Sequence, residues 1–355
     1  MSFVSHRFRV SAALCASMAL ACGEDTPDAE PAAAPLAAAD VTFLVPLASV
    51  TDFGAATGAG HGVLFPREHF DSLERLTVTD EPDDLYAALS VVGVRLDPCF
   101  IEGLGQTPCA SQVRLVLQPV LELDGATSTR DATVHLFYAV PEADVRALAR
   151  SMQTLRLSAG GSEAIGPHAA PKAAAQLVLP HIGAERLSRV TFVAVHASDQ
   201  AWTFGGFDIA DGVATPIDIV GGDHTDQHLT STGGTETLDA TILPAPTVEP
   251  DLPNYLAALS RETLTEADRT LSLAAVDRIL DPAEHDTGTL DCASCHMATA
   301  AARHEAARLG MEAGYGAAYA NSQNQRMLGY FGTEPSVSPR VEAETLAVLS
   351  KLAEP

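Results

Sequence analysis

Cys292, Cys295 and His296 fall in the run Cys-Ala-Ser-Cys-His. Two thiols three positions apart, followed at once by an imidazole, make C-x-x-C-H, the arrangement that attaches a c-type haem. Each sulfur can form a thioether to a vinyl group, and the histidine can bind the iron from one face. Six Cys and 12 His in 355 residues produce this run by chance about 0.003 times per chain. Two other chemistries compete for a bare C-x-x-C, a zinc site and a thioredoxin-like dithiol. Zinc needs two further ligands at matching spacing, and no second C-x-x-C or C-x-x-H follows. A thioredoxin-like pair needs a preceding strand, whereas Asp286, Thr287, Gly288 and Thr289 read as loop.

Covalent haem attachment requires export, and the N-terminus meets that demand. Arg7 and Arg9 precede an apolar run over residues 10–20, too short to span a membrane, so residues 1–21 read as a signal peptide. Ala19-Leu20-Ala21-Cys22 resembles the lipobox of bacterial lipoproteins, which implies acylation of Cys22 and a membrane anchor on the periplasmic or cell-surface side. The alternative is ordinary cleavage, leaving Cys22 as an odd free thiol. Residues 22–40, rich in Ala, Pro and acid, read as a flexible tether. The net charge of −25 grows by two units when Arg7 and Arg9 leave. Such a chain repels nucleic acid and anionic surfaces, and suits basic proteins or small molecules as partners.

With Cys15 in the signal, Cys22 at the anchor and Cys292 and Cys295 on the haem, Cys99 and Cys109 remain. In an oxidising compartment they read as a disulfide closing a short loop, worth roughly 3 kcal/mol on the chain-entropy model, with two free buried thiols as the alternative.

The elements that must position this chemistry fall into two groups. Residues 41–243 read as an α+β domain, a mostly antiparallel sheet with helices. Strand patterns cover 41–47, 91–96, 113–123, 133–138, 190–196, 202–209 and 213–220, with Asp211-Gly212 as a hairpin turn. Helical patterns cover 83–89, 142–157 and 173–187. No catalytic constellation emerges there. His224 and His228 lie in a Gly-rich loop over 221–234, and His168 and His196 lack partner patterns. Trp202, Phe204 and Phe207 read as core around a bulge at Gly205-Gly206. A Pro-rich linker over 244–262 leads to residues 263–355.

In that last segment a helix over 265–280, opened by a capping box of Thr265 and Asp268, precedes C-x-x-C-H, and a second over 341–352, capped by Ser338 and Pro339, closes the chain. This succession resembles the class I cytochrome c fold, a small all-α domain, over about 90 residues, roughly a quarter of the chain. The resemblance implies one covalent haem c with His296 as proximal iron ligand, and a methionine on the opposite face. Met327 is the best match to that position; Met297, Met311 and His304 fit it poorly, and an open sixth position is the alternative. Tyr315, Tyr319, Tyr330 and Phe331 are candidates to cover the ring edges, and Arg326 or Asn324 to reach a propionate.

Three functions follow: an electron carrier exchanging single electrons with a redox partner protein, a haem enzyme with an open iron site, or a ligand-binding protein with an accessory or sensory haem. The first is preferred. A single C-x-x-C-H disfavours a di-haem peroxidase.

Overall fold

Alternating apolar residues dominate the first two thirds of the chain and become strands. The structure is a computed structural model that describes residues 34–73, 84–100, 110–123, 125–195, 201–220, 224–233, 238–244, 265–286, 288–312, 319 and 323–354. In chain order the strands are β1 (Thr42–Leu44), β2 (Gly58–Ala59), β3 (Gly62–Val63), β4 (Leu89–Phe100), β5 (Ala110–Leu123), β6 (Ala126–Thr129), β7 (Ala132–Ala139), β8 (Leu187–Val195), β9 (Trp202–Ala210), β10 (Val213–Pro216), β11 (Asp226–Gly233), β12 (Leu238–Leu243), β13 (Leu328–Phe331) and β14 (Glu334–Val337). The α-helices are α1 (Arg67–Asp71), α2 (Leu85–Ala88), α3 (Glu142–Ala159), α4 (Pro171–Val178), α5 (Glu266–Leu280), α6 (Cys292–Arg308) and α7 (Pro339–Ala353). Apart from the hairpins β2–β3 and β13–β14, the strands form one antiparallel ten-stranded sheet in the order β1-β4-β5-β7-β8-β9-β11-β12, with β6 beside β5 and β10 beside β9. The expected α+β architecture is therefore present. Asp211 (φ 51°) and Gly212 (φ 77°) make the left-handed turn between β9 and β10.

The period of two divides the central strands between two faces. Leu115, Leu117, Leu136, Tyr138 and Val190 are buried on one of them, and α3 packs there against β4 and β5 with Val145, Leu148, Ala149 and Met152. Gly160 (φ 64°) ends α3 in the left-handed conformation. The other face receives the C-terminal residues. Helix α6 lies on β9, β11 and β12, α7 on β4, and β13 on β4 and β5.

Residues 36–355 form one compact unit. Where the sequence reading has an all-α C-terminal domain, the chain supplies three helices and the β13–β14 hairpin; α6, α7 and β13 lie on the sheet, and α5 packs on α6 and α7. The physical reason lies in α6. Its buried positions include Ala293, Ala298, Ala300, Ala301 and Ala302, too small to enclose a core unaided, so they pack with Trp202, Phe204 and Leu229 of the sheet. Apart from Pro244, the expected linker lies outside the described residues. So do the expected signal and most of the tether, although the end of the latter is folded: Asp40 is buried and accepts Arg156 Nε at 2.7 Å and Nη2 at 3.1 Å. Strand β11 replaces the loop expected around His228, whose Nδ1 lies 3.1 Å from Thr203 Oγ1.

Candidate functional site

Helix α6 begins at the motif itself. Asp291 is its N-cap, its side chain accepting from Ser294 N at 3.0 Å, and Ala293 N donates to Gln227 Oε1 of β11 at 2.9 Å. With the helix starting at Cys292, positions 292, 295 and 296 stand at i, i+3 and i+4 and share one face. The C-x-x-C-H spacing thus presents two thiols and an imidazole together.

His296 is held by two contacts. Its Nδ1 donates to the carbonyl oxygen of Gln325 at 2.5 Å, and its ring centroid lies 5.0 Å from that of Phe204 at 54°. A carbonyl only accepts, so Nδ1 carries the proton and Nε2 keeps its lone pair. Burial pulls His296 down to about 4, outweighing that hydrogen bond, so the ring is neutral near pH 7.

Cys292, Cys295 and His296 line a cavity of about 220 Å³ between α6 and the sheet, open on one side. Apolar walls come from Val116, Phe192, Phe204, Leu290, Leu328 and Val341. Strand register supplies the polar part. Arg95, Arg114, Phe137, Arg189 and Asp208 stand directly opposite one another across β4, β5, β7, β8 and β9, and the four of them other than Asp208 line the cavity. Arg340 joins them from the first turn of α7.

These arginines are tied into a buried network. Arg95 donates to Asp97 at 2.7 Å and bonds Glu344, while Arg340 donates to Glu344 at 2.6 Å and to the carbonyls of Ile279 (3.1 Å) and His285 (2.7 Å). Burial pushes the Glu344 carboxyl up, but Arg95, Arg340 and Arg114 together outweigh it and hold it at about 2. Burial pulls Arg114 down against the opposing charge of Asp97, and its guanidinium lies 4.7 Å over the ring of Phe137. Arg189 grips Asp208 through Nε at 2.5 Å and Nη2 at 3.2 Å.

The residues fit a haem in three respects. The two thiols are free and open in part to the cavity, the proximal imidazole has Nε2 available, and an apolar slot bordered by arginines matches a flat apolar ring with two carboxylate arms. Among the described residues no group of three His, Cys, Asp or Glu is placed to hold a metal ion. A redox dithiol needs a depressed thiol, yet burial, then Asp291 and Cys295, push Cys292 up to about 12. Burial likewise pushes Cys295 up to about 11, against Arg340.

Met327 also lines the cavity, half-buried, with its side chain against the main apolar cluster of the sheet. Met297 is fully buried in the α6 contact with the sheet, Met311 is exposed, and His304 is buried beside Glu305. The residues expected to shape the pocket have other work. Arg326 bonds Asp131 at 2.9 Å, Asn324 bonds Ser336 at 3.0 Å, Tyr330 Oη donates to the Val45 carbonyl at 3.0 Å, and Tyr319 Oη meets Ser336 at 3.1 Å. Phe331 lies 5.2 Å beneath the Arg326 guanidinium. None of these five lines the cavity. Cys22, Cys109, Tyr315 and His196 lie outside the described residues, as does the side chain of Cys99, so the disulfide and the lipid site are not described.

Sequence reasoning missed His135, Arg95, Arg114, Arg189, Arg340 and Glu344. His135 sits in the middle of β7, its Nδ1 3.1 Å from Thr191 Oγ1, and lines the same cavity. Its neighbours come from β5 and β8, and only knowledge of the strand register would have assembled them.

Comparison with protein-family models, with curated proteins and with solved structures finds no match to this chain.

Proposed function

We propose that this protein is an exported, lipid-anchored c-type haem protein that passes single electrons to or from a partner protein. The observation that carries the reading is the convergence of Cys292, Cys295 and His296 on one cavity, with an apolar slot and bordering arginines. The thiols hold the haem covalently and His296 ligates its iron through Nε2. Arg114 and Arg189, on the sheet wall, are placed to receive the propionates. Bound there, the group supplies one-electron iron chemistry. The protein's residues set its orientation and exclude water: the Gln325 carbonyl fixes the tautomer of His296, and Phe204 limits its rotation. Cys22 anchors the chain, and the strong negative charge favours a basic partner surface.

The experiment is to express the full chain with a haem-attachment system and record oxidised and reduced spectra with and without cyanide. Low-spin iron that cycles between the two states and ignores cyanide supports electron transfer. High-spin iron that binds cyanide and turns over peroxide moves the assignment to a haem enzyme.

A further inference from the structure

We propose that His135, projecting from the sheet, is the second protein ligand to the haem iron, an inference that rests on the haem reading above. On its face of the sheet, His135 belongs to a cross-strand row of Gly93, Val116, His135, Thr191 and Gly206. The row is otherwise small or apolar. A Cβ at Gly206 would lie 2.4 Å from the Val190 carbonyl oxygen, and one at Gly93 would lie 3.1 Å from Leu328 Cγ, so neither end has room for a larger residue. His135 is the row's one long polar side chain.

His135 is half-buried and lines the cavity. His135 satisfies Nδ1 with Thr191 Oγ1, and its Nε2 has no hydrogen-bond partner among the described residues. The same pattern holds at His296, whose Nδ1 is taken by the Gln325 carbonyl. Each imidazole is thus held at Nδ1, and with the His135 Nδ1–H donating to the Thr191 hydroxyl, Nε2 is the atom each would turn to an iron, the arrangement by which metal-binding histidines are oriented. Both line one cavity, His296 from the helix and His135 from the sheet. Met327 also borders the cavity, but its thioether side chain already has an apolar packing role. Bis-histidine ligation leaves no open iron position and forgoes the rise in potential that a methionine ligand gives.

The test uses the full chain carrying its haem, as wild type, His135→Ala and Met327→Leu. The expected wild type is low-spin by electron paramagnetic resonance and lacks the methionine-to-iron charge-transfer band. His135→Ala loses the low-spin signal and regains it with added imidazole, whereas Met327→Leu keeps the wild-type spectrum. A methionine band in the wild type that Met327→Leu removes, a high-spin wild type, or an unchanged His135→Ala spectrum overturns the assignment of His135 alone. A wild-type chain without covalent haem overturns the haem reading as well. The wild-type spectrum decides the question even if His135→Ala does not fold.

Discussion

The Nδ1 of His296 lies 2.5 Å from the main-chain carbonyl oxygen of Gln325, while the ring centroid of Phe204 in β9 stands 5.0 Å from that of the same imidazole. The first contact aligns the imidazole and the second confines it, and both come from outside α6. The geometry of the motif is therefore a property of the whole unit. Phe204 is 1% exposed, and Phe204→Ala should destabilise the protein by about 3–5 kcal/mol in urea unfolding, with Phe204→Leu milder. The alanine variant should also broaden the His296 environment by NMR in the haem-free chain.

The start of α6 depends on one carboxylate. Asp291 caps the helix at Ser294 N, and Asp291→Ala should lower stability by about 1 kcal/mol, while Asp291→Asn keeps most of it. Denaturant midpoints of the two variants make the comparison.

Acid should loosen the attachment of α7 to the sheet. Glu344 is held at about 2, below its unfolded value near 4.3, so the stability it contributes is present in full above about pH 4.3 and is lost as pH falls towards 2. Glu344→Gln should remove up to about 3 kcal/mol of stability at neutral pH, and much less at pH 2. Unfolding free energies measured across that range show whether the difference shrinks as stated. A difference that stays constant with pH would contradict the assignment. Arg95→Met, which takes from Asp97 and Glu344 the buried guanidinium that joins them, should be the more damaging change, by about 3–5 kcal/mol.

The pairing of β8 with β9 needs backbone close to backbone at Gly206. Since an added Cβ would lie 2.4 Å from the Val190 carbonyl oxygen and 2.9 Å from Thr191 Cα, Gly206→Ala should shift β8 against β9 and destabilise by more than about 1 kcal/mol. Amide exchange along β8 should rise in that variant.

The motif, the strands β4, β5, β7, β8 and β9 and the helices α3, α5 and α7 are legible in the sequence because each rests on local periodicity or capping. Thr265 and Asp268 do form the capping box, and Ser338 does cap α7. What escapes local reading is whatever depends on distant partners. β11 is hidden because its flanking glycines resemble a loop, although Gln227, Leu229 and Ser231 are buried in alternation. The β13–β14 hairpin turns at Gly332 (φ 65°), and Pro335 in its second strand argues against a strand by propensity. The same limit applies to the cavity. Arg95, Arg114 and Arg189 are far apart in sequence and adjacent only through register, and His135 gains its meaning from Thr191 and from a helix more than a hundred residues away.

The central claim is that Cys292 and Cys295 hold a haem, and the most direct measurement is the intact mass of the chain expressed with a haem-attachment system, beside its Cys292→Ser, Cys295→Ser double variant. The account predicts a wild type heavier than the variant by one haem, after allowance for the two substitutions, with a c-type haemochrome spectrum that the variant lacks. Equal masses, with both thiols of the wild type open to alkylation, would contradict it.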